Sequence, residues 1–129
     1  MKSILFTLAL VMALPANAQT FHANNGMKVT PAGGQSFVVS GFPRNTPQSH
    51  WCAAAQYAQR FLKASYSQRM YVVGDYKRGQ RQFLISLDPT GTASEGQRIK
   101  EFSVRIDGAN RRVDEGLDFC ASIFLRDSF

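Results

Sequence analysis

The sequence predicts an α+β fold: one helix in the N-terminal half packed on a curved, mostly antiparallel sheet of four to five strands, stapled by a disulfide. Three observations lead there. Residues 48–64 carry apolar side chains at helical spacing behind a capping signal. Several later segments alternate apolar and polar residues with period two. The two cysteines, Cys52 and Cys120, stand far apart in a chain that opens like an exported protein.

The export signal comes first along the chain. Met1-Lys2-Ser3 gives a positive start, Ile4 to Leu14 is an uncharged apolar run, Pro15 breaks it, and Ala16-Asn17-Ala18 supplies small residues for cleavage after Ala18. Such a run spans only about 16 Å as a helix, against roughly 30 Å of bilayer hydrocarbon. Residues 1–18 therefore read as a signal peptide, 19–33 as a flexible N-terminal arm and 34–129 as a single α+β domain, periplasmic or secreted. In an oxidising compartment Cys52 and Cys120 pair as a structural disulfide. Their spacing is unlike the Cys-x-x-Cys of redox sites.

At 129 residues, 44% hydrophobic and 19% charged, the chain is neither disordered nor a low-complexity polymer. Two cysteines are too few for a Cys-rich zinc site. A formal charge of +6 favours anionic partners over cationic ones.

Within the arm, Met27 to Thr30 suits a short strand. Gln35 to Gly41, with Phe37-Val38-Val39, reads as the next, and Phe42 to Pro47 as a loop. Thr46 then caps a helix whose first residue is Pro47, where the missing N–H costs nothing. Trp51, Ala54, Ala55, Ala58, Phe61 and Leu62 form its apolar stripe. Arg69 to Tyr76 and Arg81 to Leu87 form a hairpin around Lys77-Arg78-Gly79-Gln80, and Asp88-Pro89-Thr90-Gly91 has the composition of a β-turn. Thr92 to Gln97 is polar. Lys100 to Asp107 alternates Phe102, Val104 and Ile106 with polar residues, as a half-buried strand does. Asp107-Gly108 and Asn110 turn the chain, and Leu117 to Leu125 reads as a final central strand. This order, one helix followed by a meander, resembles the cystatin-like arrangement, an analogy of fold alone. Trp51-Cys52-Ala53-Ala54 and Asp118-Phe119-Cys120 resemble stretches of small exported bacterial proteins. That resemblance implies the same cysteine pairing and supplies no functional residue.

Signals for catalysis are sparse. The chain has two histidines, His22 in the arm and His50 at the helix start, and no Gly-x-Ser-x-Gly elbow. Asp114, Glu115 and Asp118 form an acidic cluster that more commonly faces neighbouring arginines than a metal or a glycoside. No spacing points to a metal or another cofactor. The basic residues carry the binding signal. Lys77, Arg78 and Arg81 sit at a hairpin tip beside Tyr71 and Tyr76, and Arg111-Arg112 at another turn. Adjacent tips would form one anion-binding edge, arginine forks holding anions and Tyr76 offering a stacking face. The leading expectation is a small exported, non-enzymatic binding or accessory protein. Its partner would be an envelope protein or an anionic glycan or lipid surface, with nucleic acid disfavoured. A proteinaceous inhibitor of a secreted hydrolase, working through Asp88 to Gln97 or the Gly33–Gly34 region, is the second expectation. The third is a small hydrolase using His50 or the acidic cluster.

Overall fold

A computed structural model describes residues 19–41, 46–94 and 104–126, with backbone alone for 122–126. The expected leader lies outside the described residues, as do parts of the segments 42–47, 92–97 and 100–107. Among the described residues, six strands form one antiparallel sheet and two helices pack on it, so the fold is α+β. In chain order these are β1 (Phe21–His22), β2 (Lys28–Pro31), β3 (Ser36–Ser40), α1 (Pro47–Phe61), β4 (Arg69–Val72), β5 (Gln82–Ser86), β6 (Asn110–Arg112) and α2 (Val113–Arg126). Across the sheet the order is β1-β2-β3-β5-β4-β6. No helix among the described residues is long and apolar enough to cross a membrane.

Helix α1 starts as its sequence dictates. The Ser49 N–H donates to the Thr46 hydroxyl oxygen, and Pro47 fills the first helical position. Its small face, Ala53, Ala54, Ala55 and Ala58, is fully buried with Trp51. Period-two burial orients the strands. Val29, Phe37, Val39, Met70, Val72, Phe83 and Ile85 face the helices and form the core.

Three expectations change. The stretch read as an arm is paired into the sheet, with β1 on β2 and β2 on β3, and Ala23, Met27 and Val29 are buried. Two hydrogen bonds pin its turn to α1: Asn24 N–H to Gln56 Oε1 and Asn25 Nδ2–H to the Ser49 carbonyl. Leu117 to Leu125 belongs to α2 rather than to a strand, so the arrangement departs from the one-helix analogy. Finally, Val104 to Asp107 forms turns, while Asn110–Arg112, expected as a turn, pairs with β4 as the strand β6.

The two helices meet through Gly116 on α2. A β-carbon there would lie 2.6 Å from both the Ala55 Cβ and the Trp51 carbonyl oxygen, so only glycine allows this crossing. The disulfide Cys52–Cys120 joins the same two helices across 68 positions. A loop of that length stabilises the fold by about 4 kcal/mol in the chain-entropy account. Gly116→Ala gains some helix propensity but forces the helices apart. We expect it to lower stability by about 1–3 kcal/mol in urea unfolding of the oxidised protein. An unchanged or raised midpoint would refute the close-crossing account.

Candidate functional site

The segment between β4 and β5 begins as an extension of the ladder. Val73 N–H donates to the Leu84 carbonyl, and Tyr76 N–H to that of Arg105. The tip then closes on itself. Gln80 N–H donates to the Lys77 carbonyl, and Lys77 N–H donates to Gln80 Oε1. Gly79 adopts φ 82°, a left-handed conformation natural to glycine, and its N–H donates to the Tyr76 hydroxyl at 3.3 Å. Lys77, Arg78 and Arg81 project from this tip, all exposed. Among the described residues none of the three makes a salt bridge. The nearby carboxylates serve the backbone instead: Asp75 accepts from Asp107 N–H, and Asp107 from Gly74 and Ala93 N–H.

One face of the Tyr76 ring is engaged within the molecule: the Arg105 guanidinium stands 4.6 Å from its centroid, and the Phe83 ring lies near-parallel with centroids 6.4 Å apart. Tyr76 therefore positions the tip and holds Arg105 beside it, adding a fourth cation from a segment distant in sequence. The long-range bond from Tyr76 N–H to the Arg105 carbonyl makes the juxtaposition, and no local pattern announces it.

Arg111 and Arg112 are not brought to this tip. They lie in β6 opposite Met70 and Arg69, at the start of β4, whereas the tip lies beyond its far end. Each is paired locally, Arg112 to Asp114 at 2.8 Å and Arg111 to Glu115 at 3.9 Å. The arginines and the acidic cluster thus engage one another around the first turn of α2. Asp118 is exposed, and among the described residues no group of three or more His, Cys, Asp or Glu is placed to hold a metal ion.

His22 is exposed in β1, but His50 is 1% exposed. Its Nδ1 meets the Thr46 carbonyl at 2.7 Å, which makes Nδ1 the protonated nitrogen of the neutral ring. Nε2 is buried without a partner among the described residues. The ring packs edge to face on Phe83, with centroids 4.7 Å apart, so a ladder runs from His50 through Phe83 and Tyr76 to Arg105. Burial holds the His50 pKa below 6.5, the bond to Thr46 opposes this, and the charge of Arg105 lowers it further. The charged neighbour is thus a cation rather than the carboxylate that would orient a catalytic base.

The two loops considered for an inhibitor come together. Gly33 and Gly34 share an open cleft of about 510 Å³ with Asp88 and Thr90, because β3 and β5 place Ser36 opposite Ser86. A second cleft of about 260 Å³ adjoins the same glycines and is lined by Tyr57, Phe61 and Leu62. Phe61 belongs to the apolar stripe of α1, yet it is 56% exposed. No protein-family model, curated protein or solved structure matches this chain.

A histidine whose pKa is lowered on folding binds fewer protons in the native than in the unfolded state. Its contribution is therefore intact above about pH 6.5 and is lost as pH falls toward the native-state pKa. The melting temperature should drop on acidification below pH 6.5. In His50→Gln that part of the pH dependence should flatten, whatever its effect on absolute stability. Parallel profiles for the two proteins would overturn the assignment.

Proposed function

We propose that this chain is an exported, non-enzymatic binding or accessory protein that engages an anionic envelope partner through the basic end of its sheet. The observation that carries the reading is the set of contacts Tyr76 makes at the base of the tip. Its ring lies near-parallel to that of Phe83 and carries the Arg105 guanidinium, and its hydroxyl accepts from Gly79. The cations Lys77, Arg78 and Arg81 are thereby held on a built tip instead of a solvated loop. Guanidinium groups recognise phosphate, sulfate and carboxylate by paired hydrogen bonds, and cations that project into water lose little hydration before a partner arrives. The disulfide and the apolar run Ile4–Leu14 support the exported site of action, periplasmic or outside the cell.

A second reading, a proteinaceous inhibitor of a secreted hydrolase, is favoured by the meeting of the Gly33–Gly34 and Asp88–Thr90 turns in one cleft. Salt separates the two. Binding through exposed cations weakens steeply as ionic strength rises, whereas a desolvated protein interface persists.

Retention of the oxidised protein on dextran sulfate and on phosphatidylglycerol vesicles tests the first reading, the two matrices distinguishing a glycan from a lipid surface. The triple substitution Lys77→Ala, Arg78→Ala, Arg81→Ala should weaken binding at least tenfold, about 1.4 kcal/mol, and move the melting temperature by no more than a few degrees. Equal retention of the triple variant, or its unfolding, would sink the reading.

A further inference from the structure

The opposite end of the β3–β5 pair carries different chemistry. The smaller cleft is walled by Tyr57, Phe61 and Leu62 at the end of α1. Phe61 is exposed yet fixed. It stacks on Tyr57 at 5.1 Å with an interplanar angle of 23°, and Phe21 meets its edge at 5.2 Å. A rigid, exposed aromatic ring beside a concavity is the arrangement of an interface anchor site. At about 260 Å³ the cleft falls below the roughly 300–1,000 Å³ of small-molecule pockets, a size suited to one large side chain.

The glycine turn joins this cleft to the larger one. Gly33 and Gly34 have φ of 97° and 56°, and a β-carbon on either would meet nothing within 4 Å. The wall between the clefts is thus bare backbone, over which an extended chain can pass. In the larger cleft stands Asp88, exposed and locked by Thr90, whose N–H and hydroxyl both donate to Oδ1. These bonds keep the carboxylate ionised by lowering its pKa. Oδ2 has no partner among the described residues, and no Lys or Arg side chain is among the lining residues of either cleft. Asp88 is the one charged side chain in those linings, against a basic chain as a whole.

We infer that the groove running from Phe61 across the Gly33–Gly34 turn to Asp88 binds an extended peptide segment. The segment carries an apolar anchor residue, seated against Phe61, and a lysine or arginine, paired with the Asp88 carboxylate. The site is independent of the basic tip and of whether the partner is a hydrolase.

The test uses the oxidised protein and the synthetic peptides acetyl-Phe-(Gly)n-Lys-amide, with one to three glycines, at millimolar concentration. Amide shifts at Gly33, Gly34 and Asp88 report occupancy. Saturable shifts are expected for at least one spacer. Affinity should fall at least tenfold in Phe61→Ser and in Asp88→Asn, which keeps the Oδ1 acceptor of the turn. It should fall comparably when the peptide lysine becomes glutamine. The triple Lys77, Arg78, Arg81 variant should bind the peptide unchanged, which separates this site from the reading above. Absence of saturable shifts with every spacer, or equal affinity for lysine- and glutamine-ended peptides, would overturn the inference. So would indifference to Phe61→Ser in a variant with an unchanged melting temperature.

Discussion

Everything in this fold depends on how closely α1 and α2 cross. Gly116 lies against Ala55 and the Trp51 carbonyl, where no other residue fits, and Cys52–Cys120 ties the same two helices covalently. The alanines of α1 gain little individually from burial, since each offers one methyl group. Their contribution is to let a second helix approach to backbone distance, so that dispersion and solvent exclusion act over the whole crossing. The crossing also fixes where the ends of α1 stand. Its first turn brings His50 onto Phe83, and its last turn brings Phe61 and Leu62 beside the Gly33–Gly34 turn. The aromatic cleft is thus placed by the end of α1, whereas the basic tip is built by its own bonds and meets α1 through His50, Phe83 and Tyr76.

Elements with local signals were legible. Thr46 and Pro47 mark the start of α1 by capping chemistry, and the alternation of β3 and β5 follows from one buried face. Residues 117–125 defeated the same logic because short apolar runs satisfy either period. Val113, Gly116 and Cys120 lie at helical spacing and are all buried, and Asp114 and Glu115 favour a helix N-terminus. Glycine, however, costs about 1 kcal/mol relative to alanine within a helix. Its tertiary use, close approach, is invisible until the partner helix is known. β6 was missed for the converse reason. Asn110 is polar and buried, satisfied by Arg69, Ser94 and the Gly108 carbonyl, so the strand exists through pairing and side-chain bonds without any apolar pattern.

The candidate site divides along the same line. Lys77, Arg78 and Arg81 are clustered in sequence and remain clustered in space, because a tight tip keeps near neighbours near. Arg105 joins them only through the ladder between residues 76 and 105, and Arg111 and Arg112 leave them because β6 pairs with the opposite end of β4. Tyr76 does more here than its side-chain type announces: its ring carries the Arg105 guanidinium beside Phe83, and its hydroxyl accepts from Gly79 at the tip.

His50 completes the electrostatic account of the basic end. Four cations can stand there because they project into water, where high dielectric and salt limit their repulsion to a small cost each. A fifth positive charge on His50 would be buried, with its Nε2 proton lacking an acceptor among the described residues and Arg105 nearby, in a region where repulsion is hardly screened. The neutral ring is therefore a condition of placing α1's first turn, itself the positive end of a helix dipole, beneath a basic tip.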